Sequence, residues 1–249
     1  MKQLPLNNKY ANTKNYNRLI SEFSEYFQNE KKSIELCHVG KFLMFFENLF
    51  KIERVCEEPD FIICSEKQRI GLEHQVLIDN KSKKKEGFLE NIIKLAEKEL
   101  RQKKDIPNFF ADVYVNPSFN GKINEKQKLV KSVVQIIRTY FQTRELLENE
   151  IIEDIHIMEH SQISLAPNLG GWIQKNITEE LIRKAVSNKE KKISCYINNT
   201  SLPQWLLIVI GGVGESSFEI EKQFDISLET KFDKVYILEE FKMNLYQLK

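Results

Sequence analysis

The stretch Glu57-Glu-Pro-Asp60-Phe-Ile-Ile-Cys64-Ser-Glu-Lys-Gln-Arg69-Ile-Gly-Leu-Glu73-His74-Gln75-Val-Leu-Ile-Asp79 decides how this chain is read. Two runs rich in β-branched residues, Asp60 to Cys64 and Arg69 to Ile78, flank the polar turn Ser65-Glu-Lys-Gln68, and a hairpin is the simplest connection. Period-two alternation puts Ile70, Leu72, His74, Val76 and Ile78 on one face of the second strand, and Gly71, Glu73, Gln75 and Leu77 on the other. Asp60 opens the first strand, so its carboxylate can approach Glu73 across the sheet. A carboxylate in a strand flanked by Leu72, Val76 and Ile78 is costly unless paired or ligated. Together with the backbone carbonyl of His74, the two carboxylates make an all-oxygen site of the kind magnesium or manganese prefers. The plain alternatives are a strand-start role for Asp60 after Pro59, and a polar position on the less buried face for Gln75.

Working outward, the other segments alternate between helical and extended patterning. Residues 1–30 are polar and Asn-rich, then amphipathic at Leu19, Phe23, Tyr26 and Phe27, which reads as an N-terminal accessory helix. Ile34 to Phe50 reads as a second helix. Asn80 to Gly87 is a charged loop or the start of a helix that runs to about Lys104. Phe109 to Val115 reads as a strand and Glu125 to Leu147 as a long helix, while Glu153 to Ser164 is ambiguous between the two. Thr178 caps a helix reaching about Tyr196, Trp205 to Ile210 is an apolar strand covered on both faces, and Lys234 to Leu238 is a last strand before a terminal helical turn. The expected class is therefore α/β, a mixed central sheet flanked by helices.

Composition limits the function classes. The chain has 249 residues, 41% of them hydrophobic, with 9 Gly and 6 Pro, which excludes a disordered or low-complexity protein. A formal charge of +1 gives no global field towards nucleic acid or membrane. The longest apolar run, Trp205 to Ile210, is far short of the roughly 20 residues a membrane helix needs. The four cysteines have no CxxC spacing, and the first residues lack the pattern of a secretory signal, so a cytoplasmic location is expected.

Pro59-Asp60 followed by Glu73-x-Gln75 on a hydrophobic hairpin resembles the PD-(D/E)xK nuclease superfamily, of restriction-endonuclease-like fold. The wording Pro-Asp-Phe-Ile-Ile and Ile-Gly-Leu-Glu-His-Gln is similar to uncharacterised bacterial members. Ile182-x-x-x-Val186-x-x-Lys189-x-x-Lys192-x-x-x-Tyr196, followed by Trp205-Leu-Leu-Ile208, is similar to the helix and strand after their motif hairpin, and Phe232 to Leu238 to their closing strand. The resemblance implies a nuclease domain over 31–249, with residues from about 84 to 165 as an inserted α/β segment. It implies a hydrolase cutting phosphodiester bonds with Mg2+ or Mn2+. Its metal ligands would be Asp60, Glu73, the carbonyl of His74 and an acidic residue of the first core helix, Glu35 with Glu47 as competitor.

The last motif position is usually lysine in that family, and here it is Gln75, which cannot act as a cation. Some members carry the lysine on the neighbouring helix, which makes Lys189 the substitute and Lys192 the next. Spacing puts Lys189, Lys192 and Tyr196 on one helical face. Asp60, Glu73, Gln75 and Lys189 are thus the catalytic set, and Lys83, Lys84, Lys85, Lys192 and Tyr196 the nucleic-acid contacts, DNA before RNA. A role in bacterial defence, with a homodimer or a partner subunit, comes with the resemblance. The alternative is a catalytically inactive nucleic-acid-binding or interaction subunit on the same scaffold. A lysine in a charged helix is ordinarily solvated, as is a run such as Lys81 to Lys85.

Two other patterns carry less. His156-Ile-Met-Glu-His160 matches a zinc-peptidase helix, but Ile155 and Ile157 alternate as in a strand and no third ligand follows. Gly211-Gly-Val-Gly214 lacks both the phosphate-loop and the dinucleotide spacing, so a turn suffices.

Overall fold

The computed structural model describes residues 1–6, 17, 21–46, 49–169, 174–212, 214–221 and 226–249. In chain order the strands are β1 (Lys2–Leu4), β2 (Lys51–Val55), β3 (Phe61–Cys64), β4 (Arg69–Val76), β5 (Phe109–Val115), β6 (Ile152–Glu159), β7 (Ser164–Asn168), β8 (Lys175–Asn176), β9 (Gln204–Ile210), β10 (Phe218–Glu219), β11 (Lys234–Glu239) and β12 (Asn244–Gln247). The α-helices are α1 (Glu30–Leu43), α2 (Asn80–Leu100), α3 (Lys126–Thr143), α4 (Glu179–Glu190) and α5 (Ile193–Thr200). Two compact units divide the chain. The first holds Met1–Ile78, Asn176–Gly212 and Phe218–Lys249, and the second Asp79–Lys175 and Val213–Ser217.

The first unit is built on a mixed seven-stranded sheet, order β1-β12-β11-β9-β4-β3-β2. Its centre is parallel, β4 beside β9 beside β11, and both flanks are antiparallel. Every residue of β9 is buried because both faces are covered. Trp205, Leu207 and Val209 join a core with Leu36, Val39 and Phe42 of α1. Leu206, Ile208 and Ile210 join another with Ile182, Ala185 and Val186 of α4 and Ile193 and Tyr196 of α5. The predicted mixed sheet flanked by helices is thus present. A Cβ at Gly71 of β4 would lie 2.4 Å from the Gln204 amide, so a larger residue there would displace that side chain.

Several element boundaries differ from expectation, each for a local reason. The helix expected over Ile34 to Phe50 starts four residues earlier, because the Asn29 side chain accepts the Lys32 N–H and caps it, and it passes into a 3-10 turn at Met44–Phe46. The helix after Thr178 breaks at Glu190, and a turn through Lys191 and Lys192 leads into α5. Instead of lying wholly in an accessory helix, the N-terminus places Lys2–Leu4 as an edge strand against β12. Ser24–Gln28 is a short 3-10 helix, and Leu19 lies outside the described residues. The terminal helical turn is corrected to strand β12, whose Leu245 is fully buried.

The second unit has a three-stranded sheet, β6-β5-β7, with α2 and α3 around its own core. The expected insertion, about 84–165, falls inside it. Asp79 caps α2 by accepting the N–H groups of Lys81 and Ser82, so the charged run from Lys81 is the first turn of a helix. The ambiguous segment is strand β6, with Ile152 and Ile155 inward. His156 there pairs with Asp154 and His160 with the Gln162 carbonyl, so no helix presents the two histidines together. No described helix is long and apolar enough to cross a membrane, and all four cysteines are free thiols.

Candidate active site

The hairpin register pairs Phe61 with Leu72, which sets Asp60 opposite Glu73 at the end of the β3–β4 ladder. The Asp60 N–H donates to Glu73 Oε2 at 3.3 Å, and the His74 N–H donates to Asp60 Oδ2 at 2.9 Å. Both carboxylates are buried, Asp60 to 8% and Glu73 to 4% exposure. Burial, and then the charge of Glu73, push the Asp60 carboxyl up to about 6, against the His74 hydrogen bond and the nearby Lys189 charge.

From α4, Lys189 Nζ donates to Glu73 Oε1 at 2.6 Å. This lysine therefore reaches the carboxylate pair, and Gln75, one residue beyond His74, lines the same cavity. The cavity measures about 380 Å3, and Glu35, Asp60 and His74 also border it. Gln75 Oε1 is shielded and accepts no hydrogen bond from a described protein group. Glu35 is buried and bound by Lys32 at 3.0 Å and Lys31 at 3.6 Å. Glu47 lies outside the described residues.

The loop leading into Asp60 is clasped from two sides. Lys32 of α1 donates to the Cys56 carbonyl at 3.1 Å and lies 3.4 Å from Glu57 and 3.7 Å from Asp60. On the other side, Lys192 bonds Glu58 at 2.8 Å and the Asn199 amide donates to the Glu58 carbonyl at 2.8 Å. Lys32 is a site residue that sequence reasoning missed. Its signal was the spacing to Glu35, three positions on along the same helix.

The His74 ring turns to the other face, where burial and then His38 lower its pKa well below the usual value. Its Nε2 lies 3.0 Å from His38 Nδ1, and His38 Nε2 lies 3.2 Å from Glu240 Oε2, which also binds Lys41. A carboxylate only accepts, so His38 Nε2 donates to Glu240, and His38 Nδ1 and His74 Nε2 share one hydrogen bond. The His74 side chain is thereby committed to this chain of bonds, and its backbone alone faces the carboxylates.

The expected nucleic-acid contacts divide. Lys192 is exposed and paired with Glu58. Tyr196 is fully buried beside Phe232, which corrects its expected exposure as a nucleic-acid contact. Burial and the Glu73 charge raise its pKa. In the second unit, Lys83 pairs with Glu86, Lys85 with Glu215, and Lys84 is exposed.

The donor set fits a hard divalent cation in one respect. Two buried carboxylates face one another with their repulsion only partly offset, beside backbone oxygen. Among the described residues no three His, Cys, Asp or Glu side chains converge as a metal cage. Magnesium commonly uses one or two carboxylates and keeps waters for the rest. No family model, no curated protein and no solved structure matches this chain.

Proposed function

We propose that this chain is a metal-dependent nuclease of the PD-(D/E)xK superfamily, on a restriction-endonuclease-like scaffold, hydrolysing phosphodiester bonds of DNA before RNA. The observation that carries the reading is Lys189 Nζ at 2.6 Å from Glu73, on a buried Asp60–Glu73 pair whose motif strand supplies Gln75 instead of lysine. Asp60, Glu73 and the His74 carbonyl would hold Mg2+ or Mn2+, which when bound supplies Lewis acidity at the phosphate and lowers the pKa of a coordinated water. Lys189 donates to the phosphate oxygens as negative charge grows on them. Gln75 borders the same cavity beside the carboxylate pair. Hydrolysis exchanges one phosphorus–oxygen ester bond for a bond to the water oxygen, with one proton leaving the water and one reaching the departing alkoxide. Action in the cytoplasm, in bacterial defence, as a homodimer or with a partner subunit, belongs to the same proposal.

A specific observation favours the second reading, an inactive nucleic-acid-binding or interaction subunit. Lys32 and Lys189 already pair with Glu35 and Glu73, so these two buried carboxylates have counter-charges without an added ion. Cleavage of labelled DNA and RNA with magnesium, manganese or EDTA separates the two. The nuclease cuts only with metal, Asp60→Ala and Glu73→Ala abolish cutting, and Lys189→Ala lowers the rate about 100-fold to 1,000-fold, as removal of one transition-state donor does. Nucleic-acid binding without cutting in any metal would establish the inactive subunit instead.

A further inference from the structure

Strand β4 has neighbours on both sides over its first half only. Its pairing with β3 ends at Leu72, whereas β9 continues beside it to Val76. The N–H groups of Gly71 and Leu77 donate to Pro203 and Val209 on the β9 side. Alternation therefore turns the backbone of His74 and Val76 to the opposite side, where no described strand lies. The cavity of about 380 Å3 sits on this half-strand, His74 to Val76.

Its other walls have a distinct chemistry. Ile34 is 46% exposed and Val76 41% exposed, two aliphatic groups left wet at the rim. Gln75 lines the cavity with its amide side chain, whose Oε1 is shielded. Lys31 and Lys189 also border it, paired with Glu35 and Glu73. The volume lies at the lower end of the roughly 300–1,000 Å3 of small-ligand pockets, enough for one nucleotide and too little for stacked pairs. Bases in a duplex are sealed inside the stack, and only an unpaired base can bring an apolar face and a free hydrogen-bonding edge to such walls.

We infer that the substrate is single-stranded DNA, with one unpaired nucleotide resting on Ile34 and Val76 and its base edge on the Gln75 amide. The inference rests on the nuclease reading and names the substrate of that same site. Fluorescence anisotropy in EDTA, with labelled oligodeoxythymidylate and its blunt duplex with oligodeoxyadenylate as probes, tests it. The single strand should bind about tenfold more tightly than the duplex. The double variant Ile34→Ser, Val76→Ser should weaken single-strand binding about fivefold to tenfold and leave duplex binding unchanged. Both side chains are already exposed, so an unchanged melting temperature verifies the fold of the variant. Equal affinity for the two probes, or undiminished single-strand binding by the double variant, overturns the inference. If metal-dependent cleavage sensitive to Asp60→Ala persists in that case, the nuclease reading survives alone. If neither probe binds and nothing is cut, both fall. Single-strand preference without cleavage keeps the nucleotide slot and removes the catalysis.

Discussion

Asp60 is held folded in a state it would not choose in water. Its carboxyl is pushed up to about 6 by burial and by Glu73, from an ordinary value near 3.8. The folded protein thus favours the protonated form. The stability this contributes is full below about pH 3.8 and is lost as pH rises to about 6. Asp60→Asn keeps an oxygen to accept the His74 N–H and removes the charge. In EDTA at pH 7 the variant should be more stable than the wild type by about 1–3 kcal/mol, and the gain should vanish below about pH 4. Urea titrations at the two pH values measure it. A variant less stable than wild type at pH 7 would mean that Lys32 and Lys189 already compensate the charge in full. The same residue loses stability and gains the capacity to bind a cation, as expected where a site is built for chemistry.

At the scale of elements, Glu240 ties the end of β11 to α1 through His38 and Lys41. The His38 bond, with help from Lys41, holds its carboxyl down at about 2. A depressed carboxylate contributes stability above its ordinary value near 4.5, lost as pH falls from there to about 2. Glu240→Gln should cost about 1–2 kcal/mol at neutral pH, allowing for the partly exposed side chain, and should flatten the acid limb of the stability curve. Thermal melts across pH 2–7 read the effect, and an acid limb identical to that of the wild type would deny the tie any weight. This contact was illegible in the sequence, since nothing local links positions 38 and 240. By contrast the hairpin was legible, because alternation along Arg69 to Val76 and the Ser65 turn are local signals, and with it came the facing of Asp60 and Glu73. Strand β2 escaped notice because Lys51, Glu53 and Arg54 are exposed on an edge strand with Ile52 as its buried residue. Lys32 escaped because a helical lysine is solvated by default, and its burial depends on the distant Cys56–Asp60 loop. The break before α5 has no proline or glycine to announce it, and nothing local shows that Tyr196 is sealed from solvent.

At the scale of the whole molecule, the described residues close three hydrophobic interiors, one in the second unit and two in the first. Val133, Ile137, Ala111 and Ile155 are fully buried in one, while Leu36, Phe42, Leu72 and Leu207 are fully buried in another that belongs to the unit carrying the site. The backbone hydrogen bonds of β5, β6 and β7 are made among themselves, so this sheet needs no strand from the seven-stranded one. Such units melt as separate cooperative transitions when each core sustains itself. Val133→Ala removes two buried methyl groups without leaving a polar group unsatisfied, at a cost of about 1–3 kcal/mol. Calorimetry of the wild type should resolve two transitions, and Val133→Ala should lower one by several degrees while the other keeps its midpoint. Metal-dependent cleavage, which belongs to the unit of Asp60 and Glu73, should follow the unshifted transition when activity is assayed against temperature. A single transition displaced as a whole, with activity lost along it, would make the chain one cooperative body and give the second unit a share in holding the site.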